Sequence, residues 1–200
     1  MLLNELTKDY RIILASLSPR RKELIEALGI NFSVECSGEI SEEFHPHHIP
    51  EEIPQMLSLR KSNAFKRELT EKEILITADT LVICNKRVLG KPADRDEAFS
   101  MLRDLSGKSH TVVTGVTIRN PKKILSFSSS TIVFFREICN EEINYYIDNF
   151  APFDKAGAYG VQEWIGYTAI RRIEGSYYNV VGLPVQKLGD SLKEFILSFS

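Results

Sequence analysis

Apolar residues follow two rhythms along this chain of 200 residues. Mostly apolar runs read as buried strands: Ile12-Ile13-Leu14, Ile74 to Ile83, and His110 to Ile118. Phe32, Val34 and Cys36 alternate as a shorter strand, and Ile124 to Phe135 reads as a returning strand or pair of strands. Between these runs the spacing turns helical. One helix runs from Pro19 to Leu28 and ends at Gly29. A second opens at Pro50-Glu51-Glu52 and is predicted to continue through Met56, Leu57, Ala64 and Phe65 to about Leu69. Asp94 or Asp96 starts a third, with Ala98, Met101, Leu102 and Leu105 facing inward and Ser106-Gly107 ending it. Asn140 to Phe150 and a closing helix with Leu188, Leu192, Phe195 and Ile196 complete the set. Asn85-Lys86 predicts a hairpin and Asn120-Pro121 a turn, Tyr167 to Ile173 reads as a strand, and Gly175 to Asn179 reads as a loop.

Four stretches break these rhythms. Ser18 stands where an N-cap belongs and Pro19 at the first helical position, yet Arg20 and Arg21 put two cations in the first turn. Each is unfavourable there by ~0.3–1 kcal/mol, whereas a capping box would place Glu or Gln at Arg21. A bound anion resolves the conflict; a solvated pair of arginines is the plainer alternative. Asp79 interrupts the longest apolar run, where a carboxylate must be paired, hydrogen-bonded or metal-bound. Gly90-Lys91-Pro92 follows the hairpin and offers a lysine to an anion, although Gly and Pro also simply mark a turn. Asp154 to Gln162 mixes charges, small residues and glycines, which suits a backbone passing close to a base or a phosphate.

Other candidates carry plainer readings. His45-Pro46-His47-His48 contains a proline and has no matching ligand pair elsewhere, so an exposed loop is expected rather than a metal site. Lys61 is helical, where a lysine is usually solvated, and His110 is expected to be an ordinary hydrogen-bonded side chain.

Composition narrows the field. With 43% hydrophobic and 26% charged residues the chain is an ordinary globular protein, one domain or two tight lobes. A net charge of −2 argues against a protein that coats nucleic acid. No apolar run approaches the ~18–20 residues that span a membrane. Three cysteines, far apart, give neither a disulfide framework nor a zinc signature, so a cytoplasmic protein with reduced thiols is expected.

The motifs together resemble one family. They are Leu14-Ala15-Ser16-x-Ser18-Pro19-Arg20-Arg21, Ala78-Asp79-Thr80, Gly90-Lys91-Pro92, Asp154-Lys155-Ala156-Gly157-Ala158-Tyr159-Gly160-x-Gln162, and Gly175-Ser176-Tyr177-Tyr178-x-Val180-Val181-Gly182-Leu183-Pro184. In this order, from about residue 12 to the last helix, they are similar to the Maf family of nucleoside triphosphate pyrophosphatases. The resemblance implies a Maf/ITPase-like single α/β domain, residues 10–199, with a bent mixed β-sheet flanked by helices and two lobes around a deep cleft. The activity it implies is hydrolysis of a nucleoside triphosphate to monophosphate and pyrophosphate, a housecleaning reaction against surplus or modified nucleotides.

The block ending in Gln162 resembles the branch acting on dTTP and UTP. By position, the resemblance makes Asp79 the proton acceptor and Arg20, Thr80 and Gln162 the specificity residues. Ser16, Arg21, Lys61 and Lys91 would face the phosphates, with Lys91 and Glu42 also in the catalytic set. Glu39, Glu42 and Glu43 can each occupy the acidic position; Glu42 is preferred, as a metal ligand beside Asp79. Leu17, Ser62 and Glu163-Trp164 depart from the family pattern, Ser62 where alanine is usual and Glu163-Trp164 where glycine is common. Mg²⁺ or Mn²⁺ is the implied cofactor and a homodimer the implied assembly, with no membrane and no nucleic acid as partner. The alternatives are the same chemistry on 7-methyl-GTP or CTP, or a non-catalytic nucleotide-binding regulator of cell division.

Overall fold

The computed structural model describes residues 2–35, 40–41, 43–45 and 47–198. Cys36, Glu39 and Glu42 therefore lie outside the described residues. The elements are α1 (Leu3–Thr7), β1 (Arg11–Leu14), α2 (Pro19–Glu26), β2 (Phe32–Val34), α3 (Ile53–Asn63), β3 (Glu73–Cys84), β4 (Arg87–Leu89) and α4 (Arg95–Leu105). They continue as β5 (Ser109–Arg119), β6 (Ile124–Phe135), α5 (Asn140–Phe150), α6 (Trp164–Ala169), β7 (Ile170–Glu174), α7 (Tyr177–Val181) and α8 (Val185–Leu197). The strands form a seven-stranded mixed sheet in the order β2-β1-β3-β5-β6-β7, with β4 also paired to β3. β1 runs parallel to both β2 and β3, while β3–β4 and β6–β7 are antiparallel.

The chain divides into two compact units, and the boundaries cut β3 after Asp79, β5 before Thr114 and β6 after Ser129. The first unit holds residues 1–79, 114–129 and 182–200. Its β1 residues Ile12, Ile13 and Leu14 are fully buried beside Ile74, Leu75 and Ile76 of β3, the continuous apolar pattern that parallel strands need when both faces are covered. α8 buries Leu188, Leu192, Phe195 and Ile196 as its spacing predicts, and packs against α1. A helix at α1 is not visible in the polar N-terminal sequence.

α3 is seated by close approach and by polar contacts. A Cβ on Gly115 of β5 would lie 2.2 Å from the Gln55 nitrogen, so only glycine lets this helix start so near the strand. Ser58 Oγ lies 2.9 Å from Thr117 Oγ1, and Thr77 donates to the Ser58 carbonyl at 2.7 Å. α3 ends at Asn63, short of the predicted Leu69. Phe65 turns inward there and packs with Ile13, Ala15 and Leu75, which a continuing helix would not allow. His45, His47 and His48 are exposed in a turn closed by His48 N–H donating to the His45 carbonyl.

The second unit holds residues 80–113 and 130–181. Val82, Leu102, Leu105, Val133, Ile143, Tyr146 and Ile165 are among the residues of its core. Asn85 and Lys86 take φ of 50° and 63°, the left-handed pair of a type I′ hairpin. Asp94, not Asp96, caps α4 by accepting from the Glu97 N–H at 2.9 Å. β6 is one strand rather than two.

Two expectations hold only in part in this unit. The predicted strand Tyr167–Ile173 is β7 from Ile170 onward, but Tyr167–Ala169 are the end of a helix, α6. Ile165 and Ala169 are buried at helical spacing while Tyr167 between them is 81% exposed, and the Glu163 carbonyl accepts from the N–H groups of Gly166 and Tyr167. The predicted loop at Gly175–Asn179 contains the start of α7, where Ser176 Oγ accepts from the Asn179 N–H. Asn179 then donates its side-chain amide to the Val112 carbonyl and to Thr131 Oγ1, each at 3.0 Å.

Candidate active site

The junction from β1 to α2 forms as its sequence predicts. Ser18 is the N-cap, its Oγ accepting from the Arg21 N–H at 3.4 Å, and Pro19 opens the helix. The cation problem has a partial structural answer that sequence spacing does not reveal. Arg21 Nε donates to the Gly182 carbonyl at 3.0 Å. Its Nη1 donates to the Ala78 carbonyl at 2.9 Å and to Ser16 Oγ at 3.4 Å. Carbonyl oxygens thus supply the negative partners that a helix start withholds from a guanidinium. Ser16 and Arg20 are half-buried in the same turn, so this end of β1 and α2 gathers a hydroxyl and two guanidinium groups.

Asp79 follows Ala78 directly and is 6% exposed, the last residue of the first unit on β3. Lys61 of α3 donates a hydrogen bond to Asp79 Oδ1 and forms an ion pair with it. The expected solvated lysine is therefore a half-buried partner of Asp79. A carboxylate in such a place must be compensated, and Lys61 does so with a side chain able to serve a phosphate as well. Arg60, one residue earlier, points elsewhere and donates to the carbonyls of Ser41 and Glu43 at 2.9 and 2.8 Å.

Thr80, Lys91 and Gln162 belong to the second unit. Thr80 is half-buried on β3 and Lys91 is exposed in the turn after β4. That turn is tied to the Asp154–Gln162 segment, since the Gly157 N–H donates to the Gly90 carbonyl at 2.9 Å. Gly157 has φ of 68°, and a Cβ there would sit 3.0 Å from Val82 Cγ2. The close approach anticipated for this glycine is thus to the β3 side chain Val82. Gln162 is half-buried, and its Oε1 is a buried acceptor with no hydrogen-bond donor among the described residues. His110 is a buried structural group, its Nε2 lying 2.7 Å from Tyr159 OH, and burial pushes its pKa down to about 3.

A family model described as Maf-like protein matches residues 11–195. The chain belongs to the Maf family. A relative in Porphyromonas gingivalis named dTTP/UTP pyrophosphatase is 48% identical over 190 residues, covering 94% of this chain and 96% of the relative. A relative of the same name in Christiangramia forsetii is 47% identical and covers 98% of this chain and 100% of its own length. Among solved structures, a HAM1 protein from Coxiella burnetii covers 92% of this chain and 99% of its own, with a TM-score of 0.50 and 14% identity. That likeness concerns the fold. With family membership in place, the five motifs fall within the matched span, and the geometry adds to them the carbonyl partners of Arg21 and the Lys61–Asp79 pair.

No three His, Cys, Asp or Glu side chains are grouped as a metal cage among the described residues. Asp79 on its own still suits a hard divalent cation, because Mg²⁺ takes one or two carboxylates and completes its shell with substrate oxygens. No helix among the described residues is long and apolar enough to cross a membrane.

Proposed function

We propose that this protein hydrolyses dTTP and UTP to the monophosphate and pyrophosphate, removing surplus or modified nucleotides. The observation that carries the reading is the Lys61–Asp79 pair on a buried strand, in a Maf chain whose relatives bear the name dTTP/UTP pyrophosphatase. Asp79 accepts the proton of the attacking water, whose oxygen bonds to the α-phosphorus as the α–β bridging oxygen departs with pyrophosphate. Lys61 leaves Asp79 for a phosphate oxygen, and Arg20, Arg21 and Ser16 meet further phosphate charge. Asp79 and Glu42 would hold the divalent metal, Mg²⁺ or Mn²⁺, which would supply positive charge to the triphosphate.

Lys91 joins the phosphate-binding set, and Thr80 and Gln162 select the base, on the strength of their places in the family motifs. The buried acceptor on Gln162, unsatisfied among the described residues, supports that choice chemically. Uracil and thymine present an N3–H donor, whereas cytosine presents a bare N3 acceptor, so a carboxamide oxygen favours the first two. A homodimer follows from the same resemblance, and the unpaired thiols of Cys84 and Cys139 support a cytoplasmic setting.

A panel of nucleoside triphosphates with Mg²⁺ or Mn²⁺, products separated, tests the reading. Monophosphate and pyrophosphate from dTTP and UTP ahead of CTP and 7-methyl-GTP are expected. Orthophosphate with diphosphate, or no turnover, would sink it.

A further inference from the structure

We infer that Glu163 is a positioning residue that aims the Gln162 carboxamide at the substrate base. The inference rests on the reading of Gln162 as a base-selecting residue and adds a residue of this chain to it.

The geometry is a small closed circuit within the second unit. Tyr146 of α5 donates its hydroxyl proton to Glu163 Oε2, and the Gly160 N–H donates to that same hydroxyl at 3.0 Å. Lys155 Nζ pairs with Glu163 Oε1 at 3.0 Å and with Asp154 Oδ1 at 2.7 Å. Tyr146 is fully buried and Lys155 nearly so. Burial, with Glu163 accepting its proton, raises the Tyr146 phenol above its ordinary range, so it stays a donor. Lys155 is the buried charge of the circuit, and without Glu163 its one remaining ion-pair partner among the described residues is the exposed Asp154 carboxylate. Glu163 also fills the space above Gly160, where a Cβ would meet its Cδ at 2.8 Å. Its backbone opens α6, accepting from Gly166 and Tyr167.

Gln162 is therefore anchored on both sides, by buried Val161 before it and by the Glu163 circuit after it. An acceptor with no donor of its own discriminates between bases only if its direction is held.

The test compares wild type with Glu163→Gln and Tyr146→Phe, measuring kcat and KM for dTTP, UTP and CTP well below each variant's unfolding temperature. The 15N side-chain amide resonance of Gln162, identified by its disappearance in Gln162→Ala, is recorded in parallel. Expected are a displaced resonance and a fall of about tenfold in the preference for dTTP over CTP in Glu163→Gln, carried by KM, with a smaller fall in Tyr146→Phe. A stable variant with unchanged preference and an unmoved resonance overturns the inference. Should Glu163→Gln fail to fold, Tyr146→Phe decides by the same two readouts. Should wild type turn over no pyrimidine triphosphate, the functional reading has failed, and the resonance alone then decides whether Glu163 positions Gln162.

Discussion

Arg21 donates to the carbonyl oxygen of Ala78 at 2.9 Å, and Ala78 is the residue before Asp79. The same guanidinium holds the Gly182 carbonyl at 3.0 Å, so one side chain joins the start of α2, the middle of β3 and the turn before α8. These donations come from two separate nitrogens of a rigid planar fork, a spacing the single nitrogen of a lysine does not reproduce. Arg21→Lys is expected to lose about 1–3 kcal/mol of stability in urea titration, since hydrogen bonds from a charged group are the stronger kind. Turnover is expected to fall as well, because the backbone that carries Asp79 loses a restraint.

Asp79→Asn separates charge from shape. Asparagine fills the same space and still accepts a hydrogen bond from Lys61, but it takes no proton from water. A loss of about 10²–10⁴-fold in kcat with an unchanged circular dichroism spectrum is expected. Full activity in this variant would remove Asp79 as the base.

Much of this was legible in the sequence, for identifiable reasons. β1 and β3 are continuous apolar runs because both faces are covered, and Asp79 stood out only because it interrupts one. The partners of Arg21 were not legible, since Ala78 and Gly182 lie 57 and 161 positions away along the chain. The Lys61–Asp79 pair was not legible for the same reason: a helical lysine reads as solvated, and its partner is 18 positions away on β3, which meets α3 where Thr77 donates to the Ser58 carbonyl. α6 escaped notice because Tyr167 and its apolar neighbours mimic a strand until the burial of Ile165 and Ala169 shows the helical face. Glu42, chosen from three acids, lies outside the described residues.

The acid limb of stability should trace to Glu73. The Arg67 guanidinium that hydrogen-bonds to it, helped by the Thr70 N–H, holds its carboxyl at about 2, below the ordinary 4.5. Glu35 is lowered by the same arginine. A folded pKa below the unfolded one means the contribution is fully present above about 4.5 and is lost as pH falls towards about 2. Glu73→Gln is therefore expected to lower Tm at pH 7 and to flatten the dependence of Tm on pH across that window. Thermal unfolding at a series of pH values checks both effects.

Ser62 follows Lys61 on α3, and its hydroxyl is buried with no hydrogen-bond partner among the described residues. Its carbonyl is satisfied by Arg119 Nη1 at 2.8 Å, so the backbone here owes nothing to the side chain. A buried hydroxyl without a partner carries a desolvation cost of about 1–3 kcal/mol, which alanine removes while leaving a cavity no larger than one oxygen atom. Ser62→Ala is expected to raise stability by about 1 kcal/mol, equivalent to about 2–4 °C in Tm for a chain of this size. Because the Lys61 side chain and its hold on Asp79 are untouched, kcat and KM for dTTP should stay at their wild-type values. A loss of stability would show instead that the hydroxyl has a partner in solution, and a loss of turnover would show that α3 transmits the change to Lys61.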